Sequence, residues 1–182
     1  MRLIDVSELQ ESLGLPFLVE LANDPHVFSA DFFGSVTAKA LQKNFSAAVA
    51  LWQKDRMDWR PKAGQISTSR YVLVDDRNEL LAIGLMRFPL NQMTETDGGN
   101  LSCYVPPALR NRGFGSYCLA LLLFEAVRSG LRRALVTCQH SDPIAAKIII
   151  KNRGQLSDTC SSADPRRPGE LIDRYWISFG PQ

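Results

Sequence analysis

The stretch that decides the fold is Val105-Pro-Pro-Ala-Leu-Arg-Asn-Arg-Gly-Phe-Gly-Ser116. An apolar run from Asn100 ends at Val105, because Pro106-Pro107 cannot continue a β-ladder. A short basic loop follows. An apolar helix then opens at Gly113-x-Gly115 and runs to about Arg128, with Gly130 as its stop. The first N–H groups of a helix have no partner inside it, and the summed peptide dipoles place about half a positive charge at that end. An anion such as a pyrophosphate fits there. Gly113 and Gly115 permit positive φ and let phosphate oxygens approach the backbone. Arg110 and Arg112 add charge-assisted hydrogen bonds. A surface turn with two solvated arginines is the plainer alternative, and the strand–loop–helix context argues against it.

Outward from this segment the pattern divides the chain. Residues 1 to about 65 read as mostly helical. Met1–Val6 is a short strand, Ser7 caps a segment that runs to Ala22 with Pro16 interrupting it, and Leu41, Phe45, Val49, Trp52 and Met57 mark one amphipathic helix from Val36 to about Trp59. Tyr71–Val74 and Leu80–Phe88, joined by the polar turn Asp75–Asn78, read as a β-hairpin. Pro89–Gly99 reads as a polar loop. Downstream, Ala134–Cys138 is a strand and Asp142–Asn152 a helix. Gln155–Cys160 and Leu171–Phe179 are closing strands around the loop Ser161–Gly169. The order predicts a single mixed α/β domain over residues 1–182, with a mostly antiparallel central sheet flanked by helices.

The 182 residues are 45% hydrophobic and 22% charged, as in globular proteins. A net charge of +2 gives no broad field for nucleic acid, so anion binding is local. No apolar window reaches the ~20 residues of a membrane span, and no leader pattern stands at the N-terminus. A cytoplasmic chain that engages neither nucleic acid nor membrane is the expectation. Cys103, Cys118, Cys138 and Cys160 have neither metal-knuckle nor redox spacing, so free thiols and no metal are expected. No GxxxxGK[ST] string occurs, and a dinucleotide fingerprint fails at Cys118.

The pattern Val105-x-Pro107-x-x-Arg110-Asn-Arg-Gly113-Phe-Gly115 resembles motif A, [QR]-x-x-G-x-[GA], of the GCN5-related N-acetyltransferases (GNAT). Asp142-Pro-Ile-Ala145, continuing to Asn152-Arg-Gly154, resembles that family's downstream N-x-x-[SA] helix. Gly98-Gly99, the strand at Leu135–Cys138 and Arg174-Tyr-Trp-Ile177 resemble one bacterial branch of it. The likeness covers residues 69–179 and is weak over 1–68. It implies a coenzyme-binding core at 69–179 and a mostly helical acceptor-side portion at 1–68. It also implies strands 100–105 and 134–139 splayed apart, with acetyl-CoA between them. Cys103 and Val105 would line the pantetheine arm. Arg110, Asn111, Arg112, Gly113, Phe114, Gly115 and Ser116 would hold the pyrophosphate, with Asp142 as a further contact or, more plainly, the cap of its helix. Lys147, Lys151 and Arg153 either meet the coenzyme's 3′-phosphate or are solvated surface residues. A small-molecule or peptide amine would attack the acetyl carbonyl directly. Glutamate at position 115 is expected to abolish coenzyme binding and leave the fold intact.

The chain also departs from the family. Ile149 stands where many members place a Tyr that protonates the leaving thiolate, Asp142 replaces Asn, and Arg153 stands at a usual Gly. Strand 100–105 carries no carboxylate. The catalytic candidates are therefore Tyr104, His140 and Glu95, with Asp97 and Tyr117 as neighbours of the same kind. His140 has the intrinsic pKa of a base, and a solvated loop histidine is its plainer reading. Trp52, Trp59 and Phe32-Phe33 line the acceptor pocket or belong to the core. The missing Tyr leaves open a non-catalytic acyl-CoA-binding module. The acceptor's identity is open, and so is a homodimer formed by edge pairing of the closing strand.

Overall fold

The computed structural model describes residues 1–24, 32–56 and 66–180. Among these residues, seven strands lie in two sheets. The first has the order β1 (Arg2–Asp5), β2 (Ser67–Val74), β3 (Leu80–Phe88), β4 (Leu101–Tyr104), and the second β5 (Arg133–Gln139), β7 (Leu171–Ser178), β6 (Gln155–Ser161). Every ladder within them is antiparallel. The near-continuous apolar runs of β2 and β3 reflect burial on both faces. Val72, Val74, Ile83 and Leu85 join one core with helices α1 (Glu11–Asn23), α2 (Ala38–Lys43) and α3 (Phe45–Lys54). Leu73, Ala82 and Met86 join a second core with α5 (Phe114–Arg128). A Cβ on Gly84 would stand 2.9 Å from Leu122, so α5 lies close against β3 at that glycine.

Three N-terminal expectations change. Ser7 caps nothing. The Asp5 carboxylate instead accepts from its backbone N–H (2.9 Å) and its hydroxyl, starting a 3-10 turn at Val6–Glu8, and α1 begins later, at Glu11. Pro16 does not interrupt α1, because burial of Leu18 and Leu21 one turn beyond holds the helix through the missing hydrogen bond. The amphipathic segment is two helices. Asn44 is extended (φ −162°, ψ 94°), and its side chain accepts from the Ala47 N–H at 2.9 Å to start α3 afresh. The apolar spacing persists because Leu41, Phe45, Val49 and Trp52 all reach the same core. Met57 and Trp59 lie outside the described residues.

The loop before β4 contains a short helix, α4 (Gln92–Thr96), capped by Asn91. Its far end holds the two sheets together. The Asn100 N–H donates to the Leu135 carbonyl at 2.7 Å, and the Asn100 side-chain oxygen accepts from the Leu135 N–H at 2.8 Å. The Asn100 amide nitrogen donates to the Arg87 carbonyl at 3.0 Å. One residue thus imitates a rung of a ladder between sheets. Beyond it, among the described residues, no ladder joins β4 to β5, and the strands splay as expected. Gly99 has φ +60°, and a Cβ there would lie 2.4 Å from the Leu135 carbonyl oxygen, so only glycine admits this approach. The closing strand β7 is not an edge. It pairs with β5 and β6 on its two sides, so the edges of that sheet are β5, which faces β4 across the splay, and β6.

Replacing Asn100 by Ala removes the side-chain bonds to the Leu135 N–H and the Arg87 carbonyl in a buried place. The expected loss is about 2–4 kcal/mol of stability, read as a lower urea midpoint. A midpoint equal to that of the parent protein would show that the clamp is dispensable.

Candidate functional site

The segment after β4 makes a 3-10 turn, Pro107–Leu109, and then two left-handed residues, Asn111 (φ 61°) and Gly113 (φ 82°), before α5 begins at Phe114. No side chain caps α5, whereas Asn44, Asn91 and Asp142 cap α3, α4 and α6 (Pro143–Lys151). The amides of Phe114, Gly115 and Ser116 therefore have no helical partner, and among the described residues no side chain takes them. A Cβ on Gly113 would meet nothing within 4 Å, so the mouth of the loop is open. A loop of this shape receives an oxyanion on backbone N–H groups. The free edge of β4, unpaired on the side away from β3, runs up to it.

The motif's side chains divide into those that build the loop and those beside it. A Cβ on Gly115 would lie 3.1 Å from Ile148 and 3.6 Å from Val105, so this glycine is small for packing against α6 and β4. A side chain at 115 therefore has to displace the end of the Ile148 side chain by a few tenths of an ångström. The Asn152 side chain donates to the Ser116 carbonyl (3.3 Å) and hydroxyl (3.2 Å), tying the end of α6 to the first turn of α5. Arg112 lies over the Phe114 ring at 5.0 Å. Asp142 caps α6, accepting from the N–H groups of Ile144 (3.1 Å) and Ala145 (2.9 Å). Lys147 and Lys151 are exposed on α6. Arg153 has φ 68°, the conformation that explains the glycine usual at its position. Ile149 is buried in the α5-side core, 3% exposed, so no proton donor stands there.

The catalytic candidates lie in three separate networks. Tyr104, on the face of β4 turned to α1–α3, donates its hydroxyl to Asp24 and accepts from Arg110 Nη2 at 3.0 Å. Arg110 Nε also donates to the Val105 carbonyl at 3.1 Å. Burial first, and then the Asp24 carboxylate, push the Tyr104 phenol up to about 12. His140 is exposed at the end of β5, with Nδ1 2.9 Å from Asp173 Oδ1. Burial pulls the Asp173 carboxyl upward, but hydrogen bonds from Thr159 and His140 hold it below its ordinary value. Glu95 is exposed on α4, and its carbonyl accepts from Arg174. Asp97 is committed elsewhere. It pairs with Arg167 at 3.0 Å and accepts from Ser162 and the Ala163 N–H, pinning the loop before β7.

The four cysteines are free thiols. Cys103 donates to the Gly115 carbonyl, and Cys118, buried against Cys103, is raised by that contact and by burial. Phe33 and Trp52 are core: their rings lie 5.7 Å apart, and the Trp52 N–H donates to the Phe33 carbonyl at 3.0 Å. Phe32 stands edge-on to Tyr104 at 6.4 Å. Asp24 escapes a sequence reading. Eighty positions separate it from Tyr104, and only the return of α1 over the sheet joins them.

The model of the acetyltransferase (GNAT) family matches residues 38–151. The chain belongs to this family. The match begins at α2 and ends with α6, so it takes in helices that motif reading alone treats as weak. No curated protein matches the chain by sequence. Among solved structures, a variant of the spermidine N-acetyltransferase SpeG from Vibrio cholerae is similar at TM-score 0.66 and 14% identity, over 98% of this chain and 95% of that one. The acetyltransferase from Salmonella typhimurium that modifies the N-terminal serine of ribosomal protein L7/L12 is similar at TM-score 0.64 and 14% identity, covering 98% and 94%. RimL in complex with coenzyme A gives TM-score 0.62 at 14% identity, covering 93% and 90%. The GNAT fold is thus shared along nearly the whole chain. The protein is an acetyl-CoA-dependent N-acetyltransferase, and among its described residues no helix is long and apolar enough to cross a membrane.

In the folded protein the Tyr104 phenol keeps its proton up to about pH 12, while in the unfolded chain it titrates near 10.0. The unfolded state therefore loses this proton first. The stability tied to this group is complete below pH 10 and is lost as pH rises toward 12. Alkaline titration followed by tyrosinate absorbance checks this. Asp24→Asn should lower the highest tyrosine midpoint, and an unmoved midpoint would refute the contact.

Proposed function

We propose that this acetyltransferase holds the pyrophosphate of acetyl-CoA on the amides of residues 111–116 and the pantetheine arm along the open edge of β4, and passes the acetyl group directly to a primary amine. The observation that carries the reading is the uncapped start of α5, with left-handed Asn111 and Gly113, beside the unpaired edge of β4. Acetyl-CoA supplies the activated acetyl group. The chain supplies position: Asn152 and Gly115 fix the loop on α6, and the Asn100 clamp fixes the mouth of the splay. Cys103 and Val105 face the α5 side of β4 and leave the opposite face, under α1–α3, to the acceptor. Tyr104 stands on that face. With Ile149 buried, the Tyr104 hydroxyl, held by Asp24, orients the incoming amine and accepts its hydrogen bond.

The structural relatives named above act on spermidine and on an N-terminal serine. Both support a small-molecule or peptide primary amine as the acceptor class. Four free thiols suit a reducing compartment and support a cytoplasmic site of action.

Calorimetric titration tests this reading. Acetyl-CoA should bind and NAD should not. Gly113→Glu should weaken acetyl-CoA by at least about tenfold, because it places a carboxylate at the anion's mouth. It should leave the melting temperature nearly unchanged apart from the ~1–2 kcal/mol cost of a left-handed residue, since a side chain there meets nothing within 4 Å. Normal binding by that variant would move the cradle elsewhere. A primary-amine panel assayed by thiol release then names the acceptor.

A further inference from the structure

Coenzyme A is a linear molecule with its pyrophosphate toward one end and its thiol at the other. With the pyrophosphate on the loop after β4, an arm that follows the open edge of β4 runs back along the strand. Its thioester end then lies toward the Asn100 clamp. Ser102 stands opposite Leu85 in the ladder and Tyr104 opposite Ile83, and both partners belong to the core under α1–α3. The Ser102 and Tyr104 side chains therefore share the acceptor face, about 7 Å apart along the strand, with Ser102 nearer the clamp. The Ser102 hydroxyl sits in a polar cluster at the vertex of the splay. It accepts from Arg87 Nη1 at 3.0 Å and donates to the Gly98 carbonyl at 2.9 Å. Arg87 Nη1 is a second donor to that same carbonyl, at 3.3 Å. The Gly98 N–H donates to the Thr137 hydroxyl of β5 at 2.8 Å. The Gly98 carbonyl thus keeps a donor when the serine proton turns elsewhere, so the turn leaves no orphaned acceptor. A hydroxyl that accepts from a guanidinium is also a stronger donor, because hydrogen bonds in a chain polarise one another. Ser102 is half-buried, not sealed from the face.

We propose that Ser102 is a catalytic residue whose hydroxyl donates a hydrogen bond to the thioester carbonyl oxygen of acetyl-CoA. The amine nitrogen attacks the carbonyl carbon, and the C=O electron pair moves onto oxygen. Ser102 holds the resulting oxyanion without giving up its proton. As the pair returns, the C–S bond breaks and its electrons leave with sulfur. The surplus proton on nitrogen passes through solvent to that sulfur, so an amide and a free thiol result. A fixed donor aimed at charge that develops in the transition state acts on rate more than on binding. Arg87 is a positioning residue that acts through the Ser102 hydroxyl, and Tyr104, one pleat nearer the loop, is left to the amine. This rests on the arm placement proposed above and adds to it the group that receives the developing charge.

Bound acetyl-CoA reports the contact without knowledge of the acceptor. Difference infrared spectra with acetyl-CoA carrying carbon-13 at the acetyl carbonyl are recorded for the parent protein, Ser102→Ala, Ser102→Thr and Thr137→Val. Ser102→Ala should move the carbonyl band to higher wavenumber, because the oxygen loses a donor. Ser102→Thr keeps a hydroxyl and should restore the parent band. Thr137→Val frees the Gly98 N–H without touching the serine and should leave the band in place. In calorimetric titrations Ser102→Ala should weaken acetyl-CoA by roughly two- to tenfold, the range of one hydrogen bond. It should leave the affinity for coenzyme A, which has no acetyl group, unchanged. With an amine from the panel, kcat should fall on the order of 10²-fold while KM for the amine holds. A band unmoved in Ser102→Ala, or moved as far by Thr137→Val, overturns the proposal, since the serine then only props the Gly98 turn. Equal losses of coenzyme A and acetyl-CoA affinity overturn it too. A parent protein that binds no coenzyme A would bring down the cradle reading and this proposal with it, a result distinct from binding with an unmoved band.

Discussion

Asn100 is the residue on which the architecture turns. A sheet of four strands and a sheet of three meet where it gives its N–H and side-chain oxygen to Leu135 and its amide nitrogen to Arg87. A continued ladder would close β4 against β5 and leave no slot. No contact at all would leave two sheets free to shift. A single imitation rung does neither, because a side chain can replace one strand residue but cannot propagate a ladder. Gly99 makes it possible, since only a residue without Cβ passes so near the Leu135 carbonyl.

The splay has a chemical consequence. Each face of β4 belongs to a different core: Cys103 and Val105 look to α5, and Tyr104 to α1–α3. On the placement proposed above, a thioester on the free edge of the strand is reached from the face that α5 does not fill. The uncapped start of α5 lies at one end of that edge and the Asn100 clamp at the other. Position and desolvation are what such a scaffold contributes to acyl transfer.

Charge is arranged locally, in keeping with a net charge of only +2. Asp97 and Arg167 pin the loop before β7, and Asp173 steadies His140. The Asp24–Tyr104–Arg110 chain links the loop before α5 to the helical layer. Its members come from α1, β4 and the loop, so it exists only once those elements have packed.

The sequence by itself determined the strand–loop–helix segment around Gly113, the hairpin, the order of the core elements and the family, because these rest on local rules. Prolines end strands, glycines permit positive φ, and an apolar helix after a basic loop leaves its first amides bare. It also marked Asp142 as a cap and Gly98-Gly99 as a feature, though the reason for the second, a close approach to Leu135, was not visible. The tertiary structure decided the rest. Asn44 splits one apolar period into two helices, because a side-chain cap competes locally with a helix that the spacing alone would continue. Gly115 answers to Ile148 across a helix pair, β7 lies inside its sheet, and Asp24 meets Tyr104 from far along the chain. Each of these depends on which surfaces come together in space, and a period or a motif carries no information about a partner that many residues of chain separate from it.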